Sequence, residues 1–235
     1  MTNYASLEQL LTTTLGLTRR PAAIAFRDTA PAGVEKFTGT QPSGCSFWKL
    51  AADGRAFYTV PSDHYNCPVG SYTHNIPLPP EREKELPQVL TLMTEIGYLK
   101  MEEVPGIPRV PKTPGVVIYA PLGDAPVEPD AVILAGRPGG LMLLHEAATR
   151  SGVPMQPLFG RPTCMAIPAA MSMTVVNSLG CVGNRVYTDL SGDELYSAVS
   201  GTQLATIAEP LSTIAAANAA LTDYHEGRRA TLRSI

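Results

Sequence analysis

Cysteine and charge are both scarce in this sequence. Four cysteines occur in 235 residues, and 17% of the chain is Asp, Glu, Lys or Arg, against about 25% in ordinary soluble domains. No block of Lys or Arg appears and the formal net charge is -3, which leaves no electrostatic footprint for nucleic acid or an acidic membrane surface. No apolar run approaches the roughly 18 residues of a membrane span, and the first residues lead into an amphipathic segment without a signal-peptide pattern. The sequence therefore reads as cytoplasmic, with small molecules or proteins as partners. In a reducing compartment its four cysteines are expected to be free, metal-bound or redox-active, not a disulfide framework.

Two nucleotide signatures are missing as well. Gly136-Arg137-Pro138-Gly139-Gly140 passes from strand into helix, where helical N–H groups can meet an anion, but it has neither the Walker spacing nor Gly-x-Gly-x-x-Gly. A tight turn is the expectation there, and His145 in the following helix reads as a core or interfacial histidine. Nor do any two cysteines form a Cys-x-x-Cys pair. Cys45 and Cys67 have 21 residues between them and Cys164 and Cys181 have 16, so a metal site requires distant segments to converge.

What the chain has instead is an echo. Cys67-Pro68-Val69-Gly70 and Cys181-Val182-Gly183 each follow a β-rich run, Phe57-Tyr58-Thr59-Val60 and Thr174-Val175-Val176, and each run follows another cysteine, Cys45 or Cys164. The order Pro, Cys, strand, Cys, Gly thus occurs twice and uses all four cysteines. Four ordinary buried thiols remain the plain alternative, because cysteine packs as a small hydrophobe.

The remainder alternates helix-like with strand-like segments. Leu7 to Leu15 keeps helical spacing, with Ser6 as its cap and Gly16 as its left-handed end. Buried strands are expected at Pro21–Phe26, Gly115–Pro121 and Ala131–Ala135, the last two as neighbours, and another strand at Leu195–Val199. Short helices are expected around Trp48 and from Pro162 to Ala170, longer ones after Pro79-Pro80 and to the C terminus, with Pro210 dividing the terminal run. The loop Pro61–Asn66 gathers His64, Asp63 and Tyr65, the kind of segment on which functional groups collect. Trp48, the single tryptophan, is expected to pack.

The order Pro21-Ala-Ala-Ile-Ala-Phe26, Gly44-Cys45 with Trp48, Cys67-Pro68-Val69-Gly70, Pro162-Thr163-Cys164, Gly180-Cys181-Val182-Gly183-Asn184-Arg185 and Glu194-Leu195-Tyr196 resembles the bacterial and archaeal domain-of-unknown-function family 169. The resemblance runs from the first strand through the terminal helix and rests on the combined order. It brings no reaction with it; its cysteines make a bound iron-sulfur cluster a reasonable suspicion.

The expected fold is therefore α/β, with two related half-domains, short mixed sheets, flanking helices and a pseudo-two-fold internal repeat. Residues 1–104 would carry Cys45 and Cys67, the proline-rich 105–114 would connect, and residues 115–235 would carry Cys164, Cys181 and the terminal helix. The leading functional expectation is an iron-sulfur protein in which Cys45, Cys67, Cys164 and Cys181 hold a 4Fe-4S cluster, with zinc as the other metal. Its chemistry would be that of a lyase, hydrolase or oxidoreductase with a small-molecule substrate, or electron transfer to a partner. His64 and Arg185 are the expected catalytic residues, with Tyr72 and Asn184 beside them, Arg185 offering a planar fork to a carboxylate. A metal-free thiol enzyme or redox sensor and a small-molecule binding module with a zinc site that supports the fold stay open beside it.

Overall fold

The structure is a computed structural model and describes residues 3–158 and 162–233. The helices are α1 (Tyr4–Leu15), α2 (Gly44–Ala52), α3 (Pro68–Thr73), α4 (Glu85–Glu95), α5 (Pro138–Arg150), α6 (Ala166–Met171), α7 (Val182–Thr188), α8 (Leu204–Ala208) and α9 (Leu211–Arg233). The strands are β1 (Ala22–Arg27), β2 (Phe57–Thr59), β3 (Val116–Pro121), β4 (Ala131–Gly136), β5 (Met155–Leu158), β6 (Val175–Ser178) and β7 (Leu195–Ser200). Among the described residues these strands form one mixed sheet in the order β2-β3-β1-β4-β7-β6-β5.

Every pairing is antiparallel except β5 with β6. β3 and β4, expected as neighbours, are separated by β1, which registers Ala23 opposite Ala120 on one side and Val132 on the other. The sheet also crosses the expected connector, since β3 beyond it pairs with β1 and β2 before it. Outward from the β1–β4 pair, strand order and sense read alike, β1-β3-β2 on one side and β4-β7-β6 on the other. The likeness does not extend to what joins the strands. α4 and its flanking turns occupy the path from α3 to β3, whereas α7 reaches β7 by a short loop, and β5 has no counterpart. The repeat expected from the sequence is thus matched in strand order without being established for whole halves.

Both faces of the sheet are covered because strand side chains alternate. Ala22, Ile24, Val117, Tyr119 and Ile133 face α2 and α6, while Ala23, Val132, Leu134 and Val199 face α1, α5, α8 and the first turns of α9. α1 is capped by Asn3, whose side chain accepts the Ser6 N–H at 3.1 Å, and so begins earlier than Ser6 suggests; Gly16, at φ +59°, ends it as expected. Leu204–Leu232 is long and apolar enough by composition to cross a bilayer, contrary to the reading of the sequence. In the fold, Leu204, Ile207, Leu211 and Ile214 of that stretch are buried against the second face.

Candidate functional site

The four cysteines occupy the first face, on four different elements. Cys45 is the second residue of α2 and Cys164 the second of the 3-10 turn Thr163–Met165, and both are buried; Cys67 and Cys181 immediately precede α3 and α7 and are half-buried. A polar framework joins the segments. The Cys181 N–H donates to Thr163 Oγ1 at 2.5 Å, next to Cys164, and the Thr73 hydroxyl at the end of α3 lies against the Cys164 thiol. The Gly70 N–H donates to Cys67 Sγ at 3.3 Å, with the Gly44 N–H of α2 also at that sulfur. A Cβ at Gly70 would stand 2.9 Å from Cys67 Sγ, so only glycine leaves the sulfur in this place.

These thiols are close enough to act on one another's charge. Burial pushes Cys45 well above the ordinary thiol range, with smaller increments from Cys164, Cys67 and Cys181. Burial likewise raises Cys164, with Cys67 and Cys181 adding to it, and raises Cys67 against the opposing backbone N–H groups.

Electrostatic reach is not coordination. Among the described residues no group of three or more His, Cys, Asp or Glu side chains is placed to hold a metal ion, so the expected four-cysteine site for an iron-sulfur cluster or zinc is not formed. The physical reason is visible in the same side chains. A ligating thiol must be a thiolate, whereas Cys45 and Cys164 are packed into the apolar cluster of α2, α6 and the sheet, which favours the neutral form.

His64, expected as a catalytic group on the loop Pro61–Asn66, is fully enclosed. It ends a 3-10 turn, Pro61–His64, and its ring lies 4.9 Å from that of Phe47 and 5.7 Å from that of His74. His64 Nε2 is 2.7 Å from Thr59 Oγ1, whose hydroxyl proton goes to the Val117 carbonyl at 3.2 Å. The hydroxyl therefore accepts from Nε2–H, and Nδ1 is left as a buried lone pair without a partner. Desolvation lowers His64 well below the usual imidazole range, with His74 adding to the effect, and brings His74 down to about 4.

Further unpartnered atoms lie on this face of the sheet. Trp48 Nε1, Tyr119 Oη, both ring nitrogens of His74 and both amide atoms of Asn184 are buried without a hydrogen-bond partner in the protein. Tyr119 stacks against both Phe47 and Phe57 and is raised well above the phenol range by burial, with Cys45, Cys67 and Cys164 contributing. Asn184 lies against Cys45 and Tyr196, polar contacts that favour their ionised forms without supplying a well-formed hydrogen bond to its amide. Trp48 packs 5.9 Å from Tyr196, ring to ring.

The other expected groups fall outside this cluster. Arg185 donates from Nη1 to the Ser191 carbonyl at 2.9 Å and from Nη2 to the carbonyls of Leu179 at 2.5 Å and Glu194 at 3.0 Å. Its fork holds the loops on either side of α7. The Tyr72 ring lies beneath the Arg109 guanidinium at 4.5 Å. Sequence reasoning missed Tyr119 altogether, although a phenol in the otherwise aliphatic Val116–Ala120 run is a signal, since a buried tyrosine ordinarily seeks a partner for its hydroxyl.

No curated protein and no solved structure matches the chain. A family profile described as an uncharacterised ArCR family matches residues 10–210. That match takes in every cysteine and every unpartnered group of the cluster, and the chain belongs to the domain-of-unknown-function family 169.

Proposed function

We propose that the chain binds a small, uncharged, hydrogen-bonding molecule in the thiol-lined centre between α2, α3 and α7. The observation that carries this reading is the set of seven buried nitrogen and oxygen atoms, on Trp48, His64, His74, Tyr119 and Asn184, that have no partner in the protein. Each unmade hydrogen bond of a buried polar group costs about 1–3 kcal/mol, so seven cost on the order of 10 kcal/mol. That is comparable with the whole stability of a domain, about 5–15 kcal/mol. Such a centre is tolerable where water or a ligand meets these groups.

The chemistry of the lining selects the ligand class. Burial holds Cys45, Cys67 and Cys164 protonated and His64 and His74 neutral, so the centre offers a charged guest no counter-charge. It offers donors at Trp48 and Asn184 and an acceptor at His64 Nδ1, beside the packed rings of Phe47 and Tyr119. A molecule with both donors and acceptors meets these demands. Cys67 and Cys181 are the half-buried edge of the centre and its side nearest solvent.

The test uses Trp48, because as the single tryptophan it reports from inside the site. Native mass spectrometry of the purified protein should find a small molecule at one per chain, and adding that compound back to stripped protein should change Trp48 emission saturably. A native mass equal to the bare chain, with Trp48 emission indifferent to neutral heteroaromatic probes such as uracil and nicotinamide, would leave water as the occupant and reject the reading.

A second reading is favoured by the places of Cys67 and Cys181. Both immediately precede a helix, and they are the accessible members of the set. Thiol–disulfide exchange is the chemistry this allows: a thiolate attacks a low-molecular-weight disulfide, one thiol leaves, and the second cysteine displaces the other thiol to close a protein disulfide. Incubation with oxidised glutathione should then remove two countable thiols and two hydrogens in mass, both changes being lost in Cys67→Ser.

A further inference from the structure

The opposite face of the sheet carries a concavity of about 660 Å³, lined from α5 by Leu141, Met142, His145, Glu146 and Arg150 and from α9 by Ile214. Its size falls in the range of small-molecule sites, about 300–1,000 Å³. The histidine in it is not a surface accident. His145 Nε2 lies 2.6 Å from Asn177 Oδ1, and the Ser197 hydroxyl donates to the same oxygen at 2.7 Å. An amide oxygen only accepts, so Nε2 carries a proton, and in the neutral ring Nδ1 is the acceptor.

Three elements build this arrangement: α5 supplies His145, β6 Asn177 and β7 the fully buried Ser197. A buried hydroxyl and an amide thereby fix the tautomer and ring orientation of a half-buried imidazole whose other nitrogen makes no hydrogen bond in the described structure. A histidine that ligates through one ring nitrogen is commonly held at the other in this way. The charges beside it are arranged to match. Glu146 Oε2 accepts from Asn218 Nδ2 at 2.6 Å, which leaves its other oxygen available, and Arg150 one turn further on has no ion-pair partner among the described residues. Glu146 and Arg150 do not pair with each other either, although their spacing on the helix allows it.

We propose that this concavity is a second ligand site, separate from the thiol-lined centre, that takes an α-amino acid with an apolar side chain. The ligand carboxylate meets the Arg150 guanidinium, its ammonium group donates to Glu146 and His145 Nδ1, and its side chain lies on Leu141, Met142 and Ile214. A carboxylate alone leaves Glu146 and the imidazole lone pair without a donor, and an amine alone leaves Arg150 unpaired.

The experiment is calorimetric and NMR titration of the whole protein with L-leucine, with 4-methylpentanoate and isoamylamine as single-charge analogues. L-Leucine should saturate, each analogue should bind at least about tenfold more weakly, and Arg150→Gln and Glu146→Gln should each weaken L-leucine by a similar factor. Both substituted side chains are exposed, so circular dichroism should confirm an unchanged fold. His145→Ala should show the same loss with the exchange spectrum of the thiol face undisturbed. No saturation by roughly 10 mM L-leucine, equal binding of either analogue, or full affinity in Arg150→Gln overturns the proposal.

Discussion

His64 hands its only protonated nitrogen to Thr59 Oγ1 at 2.7 Å and keeps the other as a bare lone pair in the protein interior. His74, 5.7 Å away ring to ring, has no partner at either nitrogen. Both imidazoles are neutral in the folded chain because burial disfavours their charged forms. In the unfolded chain they regain an ordinary value of about 6.5. The unfolded state therefore binds more protons over the interval below that value, and stability present above it is lost as pH falls. For His74, brought down to about 4, the window is pH 6.5 to 4 and the full effect on the order of 3 kcal/mol. Urea unfolding at pH 7 and pH 5 should show the loss, and His74→Phe should reduce the slope; a slope unchanged in that variant removes His74 as its source.

Accessibility divides the thiols in two pairs. Cys45 and Cys164 are enclosed by Phe47, Trp48, Ala166 and Ile167, whereas Cys67 and Cys181 are half-buried. Iodoacetamide at pH 8 followed by peptide mapping should label Cys67 and Cys181 first, with Cys45 and Cys164 labelled only at the rate of unfolding. Equal labelling of all four in native buffer would contradict this division.

Arg185 is anchored to the backbone on both sides of α7. Its guanidinium donates to three backbone carbonyls, of Leu179, Ser191 and Glu194, and a lysine ammonium cannot span them. Charge-assisted hydrogen bonds contribute about 1.5–3 kcal/mol each where shielded, and less here because two of the three are exposed. Arg185→Lys should lower the melting temperature by several degrees, and thermal unfolding followed by circular dichroism reads it directly. A melting temperature equal to that of the parent protein would show the three bonds to be dispensable.

How much of this the sequence could tell depends on the range of the interactions involved. The strands Val116–Pro121 and Ala131–Gly136 were legible because unbroken β-branched runs are local, and Gly16 and Pro210 marked helix ends for local reasons as well. The insertion of β1 between β3 and β4 was not, since pairing partners are chosen by tertiary contacts. The two Cys-Gly turns each put a cysteine ahead of a helix, but their backbones differ: Cys67 stands at φ -124°, ψ 83° with its sulfur accepting from the Gly70 N–H, and Cys181 at φ -76°, ψ 166° without such a bond. Convergence of four sulfurs on a metal was an inference from repetition, and repetition carries no distance. His64 looked exposed because Pro, Ser, Asp and Asn surround it, yet one 3-10 turn points it inward against Phe47. His145, read as a core or interfacial histidine, is anchored by Asn177 and Ser197 from two strands that lie far from it in sequence.

Tyr119 offers the sharpest test of the thiol-lined centre, because its hydroxyl is buried without a partner and its ring is already well packed against Phe47 and Phe57. Tyr119→Phe removes one oxygen and leaves the stacking in place. If the centre exists to meet a ligand, this variant should be more stable than the parent when ligand is absent, by about 1–3 kcal/mol, since an unsatisfied hydroxyl no longer has to be desolvated. It should also bind the ligand more weakly, so that the two measurements move in opposite directions. A hydroxyl satisfied by permanently ordered water gives the other pattern: the variant loses stability and Trp48 emission does not respond to ligand in either protein. Denaturant melts of stripped protein, set beside Trp48 titrations of the parent and Tyr119→Phe, separate the two outcomes.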